Sequence, residues 1–196
     1  MPSSLPSNHE KKQKIRSVCV FCGSGNGKSP IFLDIATELG RFLAHNDLHL
    51  VYGGGDMGLM GALAQGALKA KGTVTGVIPE FLLPYQTGSF QPSHQIVTQN
   101  MHERKAKMYE LADAYIALPG GIGTLEELVE TMTWEQLDQH KKPIILLNVD
   151  QFWQPFLDLL AHMKNFNFIR SGLEVNFHTI EDVKALTSIL HLNTTK

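Results

Sequence analysis

The sequence predicts a single-domain, Rossmann-like α/β fold: a doubly wound, mainly parallel sheet with helices on both faces. Short apolar runs alternate with amphipathic helical patterns along the chain, which is typical of parallel strands joined by crossover helices. Glycine-rich turns follow several of these runs, as they do at the ligand-binding edge of such sheets. The 196 residues, 43% of them hydrophobic, suffice for one buried core and not comfortably for two.

The start of the chain stands apart from this pattern. Residues 1–14 are polar and carry scarcely any apolar side chain, so we expect a flexible tail before one domain over residues 15–196. The sequence has neither an apolar signal segment nor a run long enough to span a bilayer, which predicts a cytoplasmic protein with no membrane partner. The net charge of -2 gives no electrostatic reason to expect nucleic acid.

The first half of the domain alternates strand and helix. Ser17–Cys22 reads as a buried strand, and the apolar stripe over Pro30–His45 predicts a helix that packs on the sheet. An alanine-rich helix that ends near Lys71 lies between strands expected at Leu48–Tyr52 and Thr73–Ile78. A long connection with three prolines follows over residues 79–93, and its apolar side chains suggest a lid or a partner surface.

The second half continues the alternation. The elements expected there are a strand at Gln95–Thr98, a helix at Met101–Ala112 capped by Asn100, a strand at Ala114–Leu118, a helix at Leu125–Leu137, a strand at Pro143–Leu147, a helix at Phe152–Met163, a short strand at Leu173–Phe177 and a final helix capped at Thr179. Met132 and Trp134 make the Leu125–Leu137 helix apolar on more than one face, which predicts a homodimer.

The stretch from Leu118 to Glu127 carries the strongest functional signal. Three glycines occupy its strand-to-helix turn, where we expect positive φ and close approach to a ligand: Gly120, Gly121 and Gly123. The free N–H groups of the following helix favour a phosphate. Glu126 and Glu127 would repel that anion, so the loop is predicted to combine phosphate binding with acid chemistry. However, Thr124 and Glu127 also match a capping box, which needs no substrate.

Upstream motifs add further candidates. Arg104 and Lys105 lie in the first turn of a predicted helix, where cations oppose the helix dipole, so either a nearby anion or solvent must stabilise them. Gly53, Gly55 and Gly58 satisfy G-x-G-x-x-G, with Glu80 at the distance of a ribose-binding acid, but this turn follows the second strand rather than the first.

Other patterns are weaker. The segment Gly27–Ser29 imitates a P-loop whose required first glycine is replaced by Cys22, so a Walker-type nucleotidase is rejected while Ser24 is kept at the rim of the cleft. Cys19 and Cys22 share one predicted strand, which separates their Cα atoms by roughly 10 Å and excludes a disulfide. No metal-ligand spacing occurs, so neither a metal nor a cofactor is predicted.

Four segments together resemble the Lonely Guy family: Phe21–Ser24, Tyr52–Gly61, Met101–Lys105 and Leu118–Glu127. The resemblance covers nearly everything after the tail, and P-G-G-x-G-T-x-x-E with an upstream Arg-Lys is specific. It implies a homodimeric cytokinin riboside 5′-monophosphate phosphoribohydrolase, which releases an adenine-type base and ribose 5-phosphate. Arg104 and Glu127 are then catalytic, and the substrate-binding candidates are Ser24, Gly54, Gly55, Glu80, Arg104, Lys105, Gly120, Gly121, Ile122, Gly123, Thr124, Leu125 and Glu126.

The sequence admits two other interpretations of function. The family is often labelled lysine decarboxylase, but that reaction needs pyridoxal phosphate on a Schiff-base lysine. The nearest candidates, Lys141 and Lys142, are expected at the sheet edge opposite the glycine turns. A non-catalytic nucleotide or cofactor carrier of related fold remains the alternative. The sequence leaves open whether the base is plain adenine or carries an isopentenyl-type group.

Overall fold

A computed structural model of the chain describes residues 14–192, so all of the predicted tail but Lys14 lies outside the described residues. Within that range, seven strands form one sheet, and every neighbouring pair is parallel. The strands are β1 (Ser17–Phe21), β2 (His49–Tyr52), β3 (Val74–Pro79), β4 (His94–Thr98), β5 (Ala114–Ala117), β6 (Ile144–Leu147) and β7 (His178–Ile180). The predicted doubly wound α/β class is confirmed.

The strand order indicates at which edge of the sheet a ligand would bind. It runs β4-β3-β2-β1-β5-β6-β7, so the direction of winding reverses between β1 and β5. In open parallel sheets, ligands bind outside the carboxyl ends of the strands at such a reversal. Val20 lies in register with Tyr52 on one side and with Ile116 on the other. The glycine-rich turns after β1, β2 and β5 therefore meet at one edge.

Helices cover both faces of the sheet. They are α1 (Ile31–His45), α2 (Gly58–Lys69), α3 (Met101–Leu111), α4 (Ile122–Gln136), α5 (Gln154–Asn165) and α6 (Leu186–Ile189). Alternate strand residues point to opposite faces, so Val18 and Val20 pack with α1, α2 and α6, whereas Cys19 and Phe21 pack with α3, α4 and α5. None of the helices described here is both long and apolar enough to cross a membrane.

The turn after β2 packs against the turn after β1. The Leu59 amide donates to the Gly23 carbonyl oxygen at 3.1 Å. Gly58 has a φ of +59°, and a Cβ at this position would lie 2.3 Å from the Ser24 backbone, so only glycine allows this approach. Ser24 is thereby held beside the turn that follows β2.

The predictions near the C-terminus are wrong in two places. Leu173–Phe177 is not a strand; Val175 and Phe177 pack against the α5 face of the sheet, and the last strand is β7, which pairs with β6. Thr179 lies inside β7 and caps no helix. Asp182 instead caps the short 3-10 helix Val183–Ala185, because its side chain accepts a hydrogen bond from the Ala185 amide at 3.1 Å.

Candidate active site

A cavity of about 490 Å³ opens at the carboxyl edge of the sheet. Its walls come from the turns after β1 and β2, the first turns of α3 and α4, and the connection after β3. Ser24 follows β1 and Gly121 follows β5, and both line the cavity, so the cavity lies where the strand order reverses. Its volume is that of a small-molecule site.

Arg104 and Glu127 form a buried ion pair in the wall of this cavity. Arg104 Nη1 lies 2.7 Å from Glu127 Oε1, and the two residues are only 7% and 6% exposed. Arg104 also donates from Nε to the Val77 carbonyl oxygen at 3.2 Å and from Nη2 to the Gly53 carbonyl oxygen at 3.3 Å. A guanidinium has five N–H donors, so these three contacts fix its orientation and still leave capacity for a ligand.

The close packing around Arg104 explains why residue 53 is a glycine. A Cβ on Gly53 would lie 2.0 Å from Arg104 Nη2, so a larger residue would displace the guanidinium. The G-x-G-x-x-G pattern in this turn therefore has a structural reason that does not involve a dinucleotide.

The capping-box interpretation of Thr124 and Glu127 is wrong. Helix α4 begins at Ile122, after Gly121 in an extended conformation, so Thr124 lies inside the helix and does not precede it. The Glu127 carboxylate faces Arg104.

The expected positive φ at the loop glycines is also not observed, because Gly120, Gly121 and Gly123 are not among the left-handed residues. These glycines matter because they have no side chain. A Cβ on Gly120 would lie 2.1 Å from the Thr124 hydroxyl, whereas Gly121 and Gly123 line the open cavity.

Burial and charge act in opposite directions on Glu127. Burial raises the pKa of its carboxyl group above the ordinary value, and the adjacent Arg104 guanidinium works against that increase. The net shift is upward. The ionisation of the Glu127 carboxyl group, which lies in the cavity wall, thus depends on Arg104.

Lys105 pairs with carboxylates of α4. Its ammonium group contacts Glu126, and it lies 3.0 Å from Glu130 Oε2. The nearby anions predicted for the first turn of α3 are therefore the protein's own side chains, for Lys105 as for Arg104. Burial lowers the pKa of Lys105, but hydrogen bonds to both carboxylates outweigh this and raise it.

Most of the predicted site residues meet at this cavity. Those that line it are Ser24, Gly55, Arg104, Gly121, Ile122, Gly123, Thr124, Glu126 and Glu127. Five do not line it: Gly54, Glu80, Lys105, Gly120 and Leu125. Glu80 is exposed at the start of a short 3-10 helix after β3, and Leu125 packs towards the core. The structure thus places the glycine loop and the Arg104–Glu127 pair together, but not the predicted ribose-binding acid.

Several lining residues were not among the predicted ones. Apolar side chains also line the cavity: Met57, Met60, Ile78, Leu82, Tyr85 and Met101. The apolar residues of the 79–93 connection had suggested a lid, and Leu82 and Tyr85 do line the cavity. The methionines flank recognised motifs, but nothing in their spacing distinguishes a cavity wall from a core.

Asp56 fastens this connection to the turn after β2. Its Oδ2 accepts from the Thr87 hydroxyl at 2.7 Å and from the Gly88 amide at 2.8 Å. Burial raises the pKa of Asp56, but these hydrogen bonds bring it below the ordinary value. Gln86 adds a second link, since its Nε2 donates to the Gly54 carbonyl oxygen at 2.6 Å. The connection is therefore held over the cavity by polar contacts.

The structure also locates the cysteines and the lysine named in the sequence analysis. Cys19 and Cys22 are buried free thiols, and Cys22 is part of the cavity wall. Lys142 donates to the Tyr109 carbonyl oxygen at 2.8 Å, beside the amino end of β6 and away from the cavity. Over residues 14–192, no three His, Cys, Asp or Glu side chains are arranged to hold a metal ion.

Comparison with known proteins places the chain in a family. A family model described as possible lysine decarboxylase matches residues 60–190. A rice (Oryza sativa subsp. japonica) protein named cytokinin riboside 5′-monophosphate phosphoribohydrolase LOG is 46% identical over 82% of this chain, which spans 66% of the rice protein, just under two thirds. A protein from Rhodococcoides fascians with the same enzyme name is 41% identical over 86% of both chains.

Among solved structures, the molybdenum cofactor binding protein of Rippkaea orientalis superposes with a TM-score of 0.64. It is 26% identical, and the match covers 90% of this chain and 98% of that one. The likeness extends over nearly the whole sheet and its helices.

Proposed function

Because this chain belongs to the Lonely Guy family, we propose that it hydrolyses the N-glycosidic bond of adenosine 5′-monophosphates, plain or N6-modified, to the free base and ribose 5-phosphate. The observation that carries the proposal is the buried Arg104–Glu127 pair in the wall of a cavity that also contains a glycine loop and a helix N-terminus. This combination supplies an anion site and a carboxylate within one small-molecule pocket.

The proposed orientation of the nucleotide follows from the walls. The 5′-phosphate is placed at Gly121, Ile122 and Gly123, where the first amides of α4 and its dipole favour an anion. The base is placed on the apolar side, against Leu82 and Tyr85 of the connection after β3. The ribose then lies between them, near Glu126 and Glu127.

The reaction needs a negative charge beside the anomeric carbon. When the C1′–N9 bond breaks, its electron pair leaves with the base, which takes up a proton, and the sugar becomes oxocarbenium-like. Water then bonds to C1′ and releases a proton. Glu127 is assigned the charge stabilisation, or the removal of that proton, and Arg104 keeps its carboxylate oriented.

A homodimer is part of the proposal. Val129 and Trp134 of α4 and Leu137 directly after it are exposed, with accessible fractions of 42%, 48% and 62%. Apolar side chains grouped on one helix favour a partner surface. The open side of the cavity includes Ile122 of the same helix, so a second copy at α4 would lie beside the site.

The decisive experiment is product analysis with purified protein. AMP and its N6-isopentenyl analogue should each yield a free base and ribose 5-phosphate, with the faster substrate identifying the preferred base. Adenosine should react far more slowly, because it lacks the phosphate that anchors the substrate. Equal turnover of AMP and adenosine would contradict the anchoring role given to the glycine loop.

A carrier function is the alternative, favoured by the structural likeness to the molybdenum cofactor binding protein. A carrier would bind its ligand tightly without turnover. Calorimetry with AMP and with ribose 5-phosphate separates the two functions: tight AMP binding with no release of base would support the carrier and overturn the hydrolase.

A further inference from the structure

Lys105 is buried behind the cavity wall rather than within it. The residue is 6% exposed and does not line the cavity, although Arg104 directly before it does. Its ammonium group contacts Glu126 and lies 3.0 Å from Glu130 Oε2. Two of its three donors are thereby used by carboxylates of α4. A phosphate in the cavity would meet Glu126 before it met Lys105.

Glu126 is the side chain that connects Lys105 with the cavity. Its side chain is 52% exposed and it lines the cavity, whereas the neighbouring Glu127 is nearly buried. Two successive cations of α3 pair with two successive carboxylates of α4 in opposite order, since Arg104 pairs with Glu127 and Lys105 with Glu126. Each cation thus fixes one carboxylate, and the two carboxylates meet the cavity from adjacent positions.

Glu130, the second carboxylate that contacts Lys105, is itself held by Tyr109. Glu130 Oε2 accepts from the Tyr109 hydroxyl at 2.5 Å, and the Tyr109 ring packs edge-on against Phe21 at 6.2 Å and Tyr115 at 5.9 Å. Phe21 and Tyr115 belong to the central strands β1 and β5. A continuous set of contacts therefore leads from the sheet through Tyr109, Glu130 and Lys105 to Glu126.

We propose that Lys105 is a positioning residue: it fixes the Glu126 carboxylate at the cavity wall so that Glu126 accepts a hydrogen bond from a ribose hydroxyl of the nucleotide. This inference rests on the proposed function, because it requires a ribose in the cavity. A carboxylate accepts such a bond well, and an ammonium group behind it holds it in place without touching the substrate. The alternative role is direct contact between Lys105 and the phosphate.

A double-mutant cycle separates these roles. Glu126→Gln and Lys105→Met should each lower kcat/KM for AMP by roughly 10- to 100-fold, the effect of losing a hydrogen bond to a charged group. If Lys105 acts through Glu126, the double variant should be no worse than either single variant. Lys105→Arg should recover part of the loss. Lys107→Met is the matched control, since Lys107 is a partly exposed lysine of α3 paired with Glu110, and it should match wild type.

Substrate analogues provide a readout that a purely structural role would not change. The wild type should discriminate against one of 2′-deoxy-AMP and 3′-deoxy-AMP, and both single variants should lose most of that discrimination. If Lys105→Met does not fold, Glu126→Gln and Lys105→Arg still test the proposal, because the first must lose discrimination and the second must retain part of it. Melting temperatures of all variants separate lost folding from lost positioning.

The outcomes distinguish this inference from the proposed function. Losses that add in the double variant, or weaker binding of inorganic phosphate by Lys105→Met but not by Glu126→Gln, would overturn the positioning role while leaving the hydrolase in place. If the wild type binds AMP without hydrolysing it, the same cycle is measured on AMP affinity by calorimetry. A wild-type protein that binds neither AMP nor ribose 5-phosphate would overturn both.

Discussion

Arg104 and Glu127 face each other from neighbouring helices, Arg104 near the start of α3 and Glu127 in the second turn of α4, with Arg104 Nη1 2.7 Å from Glu127 Oε1. A cation near a helix N-terminus is unfavourable with respect to the dipole, and both groups are removed from water. In this arrangement the guanidinium donates three hydrogen bonds, and the pair forms part of the cavity wall. The pair is therefore best understood as part of a site, since stability alone gives little reason for it.

Replacing Glu127 tests its chemical role. Glu127→Gln keeps size and a hydrogen-bonding carbonyl, so we expect a folded protein whose kcat for AMP falls by roughly 10²–10⁴-fold, the range for losing a positioned acid-base group. Glu135→Gln is the matched control, because Glu135 is also a nearly buried glutamate of α4 but bonds to the Asn176 amide, away from the cavity. Full activity of Glu127→Gln would remove Glu127 from the mechanism and make Glu126 the acid to test next.

Replacing Arg104 tests the energetics of the pair. Arg104→Ala leaves the Glu127 carboxylate buried without its cation, which should lower the free energy of unfolding by about 3–5 kcal/mol. The double variant with Glu127→Gln should be more stable than Arg104→Ala alone, because the unpaired charge is gone. Urea unfolding gives both values. Ribose 5-phosphate should also bind Arg104→Ala more weakly, and unchanged product affinity would exclude Arg104 from substrate positioning.

The sequence located the glycine loop because its cues are local. An apolar run before Leu118 and a helical period after it place Gly120 and Gly121 in a strand-to-helix turn, whatever the rest of the chain does. The contact between Arg104 and Glu127 joins residues 23 positions apart, and no spacing rule indicates it. It came only from the resemblance to a family.

The errors have physical reasons as well. Of the alternating Leu173, Val175 and Phe177, the last two pack against the core while Leu173 is exposed, and a strand also needs a free neighbouring edge. The edge of β6 is taken by His178–Ile180 instead. Spacing alone favours Thr124 as a cap, yet Gly121 is the N-cap of α4 and Thr124 lies within the first turn of the helix. In both cases a backbone partner decided the outcome, and sequence patterns do not specify that partner.

The pH dependence follows from the raised pKa of Glu127. If the ionised carboxylate is needed, kcat/KM should fall as the pH drops through that pKa, above the value of about 4.3 for an ordinary glutamate. Stability should change in the opposite sense: a folded-state pKa above the unfolded value favours folding at low pH, and this contribution is lost as the pH rises through the folded pKa. Wild type should thus gain stability relative to Glu127→Gln on acidification, and pH-independent differences would contradict the assignment.

Asp56 should control how firmly the connection after β3 covers the cavity. Asp56→Ala removes the acceptor for Thr87 and Gly88, so we expect KM for AMP to rise roughly tenfold with a smaller change in kcat, as for loss of a hydrogen-bonded anchor. Asp56→Asn retains an acceptor oxygen and should lie between Ala and wild type. Limited proteolysis should cut the 79–93 segment faster in Asp56→Ala. A changed kcat with unchanged KM and proteolysis would show that Asp56 acts on the reaction and not through the connection.

The proposed dimer gives the last prediction, which links assembly to activity. Light scattering should return twice the chain mass of 21.8 kDa. Trp134→Glu and Leu137→Glu place a charge on the exposed apolar surface at the C-terminal end of α4. Burying an unpaired carboxylate in an interface is strongly unfavourable, so both variants should be monomeric. Phe168→Glu is the control, because Phe168 is 85% exposed but lies after α5, and it should remain dimeric. Since Ile122 and Met101 are exposed and line the cavity, the monomeric variants should also show a higher KM for AMP. A monomeric wild type, or monomeric variants with full activity, would show that the cavity is complete within one chain.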